Sequence, residues 1–314
     1  MGTFDNSPRQ NAYQAKIFPD TIPRMSSITR FGCEIARRRF LQVGALRLSC
    51  LEWGEPGRPP LGFLHGGSAH AHWWDRVAPA FADRFHVIAL DQRGHGESDW
   101  ADPPAYATEN FAADLLGVLD ALGWARAILV GHSMGGHNAM SFSAWHPDRV
   151  SALVIVDSRP SIPTDRLARL RTRGQRTLRP YPTQDVAAQS FRLLPRETVA
   201  DPEFLRHLGR AGVVERDGQW VYRFDPSSNG ARQPVDAWTL IERITAPTLI
   251  VRGELSPNLP PDVVARLRAG IRGATSFAEI PGSYHHLVLD NPAAFVEALA
   301  TFLALTPGAS ETSA

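Results

Sequence analysis

From residue 37 onward the chain alternates two hydrophobic rhythms. Short, nearly unbroken apolar runs at residues 61–64, 86–90, 127–130, 152–156 and 248–251 have the character of parallel strands buried on both faces. Between them apolar residues recur at helical spacing. Phe111, Leu115, Val118, Leu119 and Leu122 share one face of a helix that Thr108 is placed to cap and Gly123 to end. Phe295, Leu299, Phe302 and Leu303 form a second stripe after Pro292, a residue suited to a first helical turn. Residues 39–43 and 46–53 read as an antiparallel opening pair and residues 276–280 as the last strand. Such alternation predicts an α/β fold, a mostly parallel sheet flanked by helices.

The rhythm fails at both ends and once inside. Residues 1–36 lack periodicity and are rich in Pro, Ser, Asn and Gln, which predicts a loosely ordered arm, and residues 306–314 read as a flexible tail. Residues 158–244 interrupt the alternation with a helix start at Asp201-Pro202-Glu203, a turn at Asp217-Gly218 and seven arginines from Arg159 to Arg179. This stretch is expected to be a helical lid inserted between two parts of one core, residues 37–157 and 245–305. Its arginines are read as a solvated helical face in preference to an anion-binding cluster.

Composition narrows the partners. With 43% hydrophobic and 21% charged residues and a formal net charge of +1, nothing calls for nucleic acid. No apolar run approaches the roughly 18 residues that span a bilayer, so no membrane partner is expected. Two cysteines, Cys33 and Cys50, are too few for a disulfide framework, which favours a reduced, cytoplasmic setting. Arg37-Arg38-Arg39-Phe40-Leu41-Gln42 resembles a twin-arginine export signal, but Arg47 falls where its apolar stretch should lie and strand-like alternation follows.

The chemistry concentrates in three places. Gly131-His132-Ser133-Met134-Gly135 fits G-x-S-x-G directly after an apolar strand and before a helical stretch, the strand-turn-helix setting in which a serine is exposed as a nucleophile. Its glycines let the backbone bend sharply and let the helix approach. Upstream, a strand runs into His65-Gly66-Gly67-Ser68, a loop whose Gly67 N–H, with that of Met134, is placed to hold a tetrahedral oxyanion. His65 is read as a brace for that loop. Near the C-terminus His285 and His286 follow the last strand and precede Asp290-Asn291-Pro292. His285 is taken as the general base, with His286 as the alternative.

Together with Asp91-Gln92-Arg93-Gly94-His95-Gly96-Glu97-Ser98 and the tract from Pro247 to Gly253, these motifs make the chain resemble the α/β-hydrolase superfamily, in its lidded esterase and C-C hydrolase branch, over about residues 38–305. The resemblance implies an eight-stranded sheet, a Ser-His-acid triad and no catalytic role for the loop from Asp91 to Ser98. It also exposes one departure. The family's acid usually follows strand seven, where this chain has Gly253-Glu254-Leu255-Ser256, with Ser in the place of Asp. The superfamily's other position, just after strand six, holds Asp157. Asp157 is therefore the expected acid and Glu254 the alternative.

The expected function is that of a serine hydrolase of the carboxylesterase kind, acting through an acyl-enzyme on Ser133. C-C, lactone or perhydrolysis chemistry on the same triad is the alternative within the class, and a ligand receptor with little turnover the alternative outside it. His132, Trp73, Trp220 and Tyr222 are expected to line the pocket of a small apolar or aromatic substrate, the one partner foreseen. His70 and His72, two residues apart, do not share a helix face, and no carboxylate or cysteine joins them at ligand spacing, so no metal is expected. No glycine-rich phosphate fingerprint is present, and no cofactor is expected.

Overall fold

The computed structural model describes residues 36–306. The arm and the tail lie, but for Ala36 and Thr306, outside those residues, as does Cys33. Cys50 is a buried free thiol. The strands are β1 (Arg37–Val43), β2 (Leu46–Trp53), β3 (Pro60–Leu64), β4 (His86–Leu90), β5 (Ala127–His132), β6 (Val150–Val156), β7 (Thr248–Gly253) and β8 (Thr275–Ile280). They form one eight-stranded sheet in the order β1-β2-β4-β3-β5-β6-β7-β8. β2 runs antiparallel to β1 and β4, and every other pairing is parallel.

Burial on both faces explains the unbroken apolar runs. Along β6, Ala152, Val154 and Val156 join the cluster of Phe63, Trp74 and Phe295, while Val150, Leu153 and Ile155 join that of Leu129, Met140 and Phe142. At roughly 25 cal/mol per Å² of apolar surface, these two layers supply the main driving force for folding.

The principal helices are α1 (Thr108–Ala121), α2 (Met134–Trp145), α3 (Thr164–Gly174), α4 (Pro202–Ala211), α5 (Pro261–Gly270) and α6 (Pro292–Leu305). α1 begins one residue earlier than its sequence suggests. Ala107 is the N-cap and Thr108 is already helical, because its Oγ1 accepts from Val235 N (3.1 Å) instead of capping its own helix. Gly123, at φ +70, ends the run in the left-handed conformation that glycine tolerates. Among the described residues no helix is long and apolar enough to cross a membrane.

The connection from β6 to β7 holds α3, α4 and, in addition, an antiparallel hairpin of Val213–Arg216 with Gln219–Tyr222, turned at Asp217 and Gly218 with φ of 51° and 74°. A two-residue strand, Arg232–Gln233, pairs in parallel with Tyr106–Ala107 of the core. The insertion is thus mixed α and β where a helical segment was expected, because the short β-prone runs Val213-Val214 and Trp220-Val221-Tyr222 flank the Asp217-Gly218 turn and close into a hairpin. It meets the loops after β3 and β8: Asn229 Nδ2 donates to Ser68 Oγ (3.1 Å) and Pro195 O accepts from His286 Nε2 (3.1 Å). Of the seven clustered arginines, five are exposed, whereas Arg159 and Arg166 are half-buried.

Candidate active site

Four strands deliver the reactive groups to one edge of the sheet, the C-terminal edge where open α/β folds bind ligands. β5 ends at His132, and Ser133 follows with φ +52 and ψ −112 before α2 begins at Met134. This strained backbone, costing on the order of 1–3 kcal/mol, turns the side chain out of the sheet. The turn is possible because its neighbours lack side chains. A β-carbon on Gly131 would lie 2.3 Å from Gly135 O, and one on Gly135 would lie 2.3 Å from Leu64 O.

β8 leads to His285, which is 2% exposed. Its Nε2 stands 3.1 Å from Ser133 Oγ, and its Nδ1 stands 2.6 Å from Asp157 Oδ2. Asp157 follows β6 and is fully buried, with φ +42. Ser133, His285 and Asp157 are therefore contiguous. His286 points elsewhere, donating from Nε2 to Pro195 O. Glu254 is exposed and accepts from Gly282 N at 2.7 Å, on the outside of the histidine loop.

Ser256, which departs from the family pattern, is not idle. Its Oγ donates to Asp157 Oδ2 at 2.7 Å and accepts from Asn258 N at 3.1 Å, while Asn258 Nδ2 donates to Asp157 O at 2.6 Å. The sequence reading missed Asn258 altogether. The chemical clue available was Ser256 itself, since a hydroxyl standing where one carboxylate is expected can serve another as a donor.

Gly67 is exposed beside the elbow, and Met134 Sδ and Cβ lie 3.9 and 4.0 Å from where a Gly67 β-carbon would be. Among the described residues, neither the Gly67 nor the Met134 N–H donates to a protein acceptor. The loop carrying Gly67 is held from beneath. His65 Nδ1 donates to Gly66 O (2.7 Å) and its Nε2 accepts from Gln92 N (3.1 Å), so this residue braces the loop. Asp91 accepts from Ala71 N at 2.6 Å and from Arg38 at 3.2 Å, which ties the loop after β4 to the residues following Gly67.

Two imidazoles adjoin His285. His132 Nε2 donates to His285 O (2.9 Å), and the His132 and His286 ring centroids lie 4.9 Å from that of His285. Burial, and then the neighbouring His285 ring, holds His132 down at about 3 and His286 well below the ordinary histidine value. Both rings stay neutral at neutral pH and do not compete with His285 for a proton.

The remaining pocket expectations separate. Trp73 is buried 6.1 Å from the His286 ring and 6.1 Å from Phe191 of the insertion. Tyr222 is one ring further out, 6.4 Å from Phe191. Trp220 packs inside the insertion against the cluster of Tyr181, Ala187 and Val213. A carboxylate does join His72, contrary to the reading by spacing, because Asp75 lies three residues on and α4 brings His207 alongside. Arg38 Nη2 donates to His72 Nε2 (3.0 Å), so His72 Nδ1 carries the proton and donates to Asp75 Oδ2 (2.9 Å), which also accepts from His207 Nε2 (2.7 Å). In that arrangement the His72 nitrogen facing Asp75 has no lone pair to offer a cation.

The sequence matches the alpha/beta hydrolase fold family over residues 59–292. It is 29% identical over 272 residues to the 2-(acetamidomethylene)succinate hydrolase of Mesorhizobium japonicum, covering 84% of this chain and 94% of that one. A crystal structure of E-2-(acetamidomethylene)succinate hydrolase superimposes with a TM-score of 0.74 at 26% identity, covering 86% of this chain and 99% of the other. An esterase of Mycobacterium tuberculosis is 30% identical over 265 residues, 82% of this chain and 86% of its own length. A structure of that esterase superimposes with a TM-score of 0.71 over 86% of this chain and 92% of the other.

Proposed function

The chain belongs to the alpha/beta hydrolase fold family and is a hydrolase, and from that premise we propose that it is a serine hydrolase cleaving an ester-like bond of a small organic substrate through an acyl-enzyme on Ser133. One observation carries this reading: a single hydrogen-bonded line runs from Ser133 Oγ through His285 to the buried carboxylate of Asp157, with distances of 3.1 and 2.6 Å.

Each step follows from that line. Ser133 Oγ attacks the carbonyl carbon as its proton passes to His285 Nε2. Asp157, held by Ser256, keeps the proton on Nδ1 before the step and faces the imidazolium formed by it. The charge developing on the carbonyl oxygen meets the Gly67 and Met134 N–H groups and the positive end of α2. His285 then returns the proton to the leaving group, and a water activated by the same nitrogen releases the acyl group. Trp73 and Phe191 supply an apolar wall beside the base. The insertion acts as a lid, closing over loops to which it is already hydrogen-bonded. A receptor with little turnover would need neither the Oγ–Nε2 contact nor two main-chain donors left without a protein acceptor.

The test is labelling and turnover together. The protein should react with a fluorophosphonate probe at Ser133 and hydrolyse p-nitrophenyl acyl esters. Ser133→Ala should lose labelling and about 10⁴-fold or more of kcat. His285→Ala should be comparably inactive and His286→Ala measurably active. Labelling at another residue, or an active Ser133→Ala, overturns the assignment.

A further inference from the structure

Arg232 is the one arginine of the insertion that reaches deep into the site. Its side chain is 6% exposed, yet among the described residues no carboxylate, carbonyl or hydroxyl accepts from its guanidinium. Arg93, also buried, shows how this fold treats a structural cation. It donates to both oxygens of Asp114 at 2.5 and 2.6 Å and to Ala105 O at 2.9 Å. A guanidinium withdrawn from water without such partners is costly, and it is tolerated where a ligand supplies the opposite charge. Burial and the nearby Arg166 lower its pKa to about 10, so it remains a cation at neutral pH.

Its position is set by the fold. The two-residue parallel pairing places Arg232 opposite Tyr106, and Arg171 Nη2 donates to its carbonyl at 3.2 Å. The Arg232 Nη1 atom then lies 3.7 Å from where a β-carbon on Gly67 would be, the same point that Met134 approaches. The unpaired cation therefore stands beside both oxyanion donors. Arg166 lies on the acid's side of the site. It donates to Asn258 Oδ1, and Asn258 in turn holds Asp157 O. Arg166 too has no carboxylate in ion-pair range among the described residues.

We infer that the substrate cleaved at Ser133 carries a carboxylate within a few atoms of the scissile carbonyl, and that Arg232 binds it, with Arg166 as the second cation of the site. The inference rests on the reading of Ser133 as the nucleophile and adds an anchor to the apolar wall of Trp73 and Phe191. A planar guanidinium suits a carboxylate because two parallel N–H groups can meet its two oxygens.

The experiment compares matched esters on the full-length protein. One pair places the charge on the acyl part, 4-nitrophenyl hydrogen succinate against 4-nitrophenyl butyrate. The other places it on the leaving group, 4-acetoxybenzoate against phenyl acetate. In at least one pair kcat/KM should favour the anion about tenfold or more, the ratio should fall at least tenfold in Arg232→Gln, and Arg232→Lys should keep part of it. A wild-type preference for the neutral member of both pairs, or a ratio unmoved in Arg232→Gln, overturns the inference. Calorimetric titration of the Ser133→Ala protein with succinate and with the neutral succinamide needs no turnover. Tighter binding of succinate, lost on adding Arg232→Gln, sustains the anion site; equal or absent binding overturns it. Failure of the hydrolase reading shows separately, as absent fluorophosphonate labelling of wild type.

Discussion

The sheet edge and the insertion covering it are built from opposite kinds of basic side chain. Residues 158–244 hold fifteen arginines and a single histidine, His207, whereas the other ten histidines belong to the core. At the edge, two imidazoles, His65 and His95, work as neutral two-sided braces. His65 joins Gly66 O to Gln92 N, and His95 joins Arg93 O (2.9 Å) to Ser68 N (3.1 Å). The insertion instead carries permanent cations, most solvated, with Arg232 buried and unpaired. A loop pinned through both nitrogens of two neutral imidazoles is preorganised for one reaction; a region that leaves a charge unpaired selects what may undergo it.

The largest effect expected from breaking the core's hydrogen-bonded line, beyond loss of Ser133, falls on Asp157. Asp157→Asn should lower kcat by roughly 10⁴, because the amide presents a donor to His285 Nδ1 and favours the wrong tautomer. Glu254→Gln should change kcat less than twofold, since its carboxylate only receives Gly282 N at the surface. Steady-state kinetics on one activated ester decides between them, and a crippled Glu254→Gln beside an active Asp157→Asn would move the acid to the loop after β7.

Acid tests the braces themselves. Burial, the largest cause for each, holds His65, His70 and His137 at about 4 and His95 and His132 at about 3. These folded values lie below the unfolded value of roughly 6.5, so the unfolded chain takes up protons first. The stability owed to the neutral rings is complete above about pH 6.5 and is lost as pH falls toward the folded values. Each histidine should weaken the folding equilibrium by about tenfold per pH unit in that window. Urea midpoints at pH 7.5, 6.5 and 5.5 should therefore fall steeply over the lower step and little over the upper one. Equal midpoints would mean that the edge is open to water.

A smaller effect separates the acid from its support. Ser256→Ala removes the donor to Asp157 Oδ2 but leaves His285 in place, so kcat should fall about tenfold with KM little changed. An unchanged kcat would show Ser256 to be a spacer.

The core was legible in the sequence because its signals are local. A strand followed by G-x-S-x-G dictates the turn at Ser133, and a strand ending directly in Asp157 puts that carboxylate at the sheet edge. The insertion was less so, because its consequences arise through tertiary pairing. Arg232 sits between Ala231 and Gln233 with nothing to mark it, and only its alignment with Tyr106 carries it to Gly67. The conspicuous arginines, from Arg159 to Arg179, were the ones to catch the eye, and five of those seven face solvent. Ser256 was read as a missing charge because the family pattern names a residue type, whereas in the fold its hydroxyl is a donor to the buried carboxylate of Asp157.

The finest test asks how far the insertion's influence on the pocket extends. Trp220 and Tyr222 lie on the same strand, and the sequence offers no reason to separate them. Their contacts do. Tyr222 packs 6.4 Å from Phe191, Phe191 lies 6.1 Å from Trp73, and Trp73 lies 6.1 Å from His286 beside His285. Tyr222 also ties this line down by donating from its hydroxyl to Ala187 O (2.9 Å). Trp220 pairs with Tyr181 through the backbone, each amide donating to the other's carbonyl at 2.8 Å, and its ring shares the insertion's own small cluster with Tyr222 but, among the described residues, makes no ring contact with Phe191. Tyr222→Ala should let Phe191 relax and change the ratio of kcat/KM for long against short acyl esters by about three- to tenfold. Trp220→Ala should move that ratio less than twofold while lowering the melting temperature, since what it loses is packing within the insertion. Equal shifts from both variants would place the pocket wall at the hairpin rather than at Phe191, and no shift from either would confine substrate selection to the core loops and the arginines.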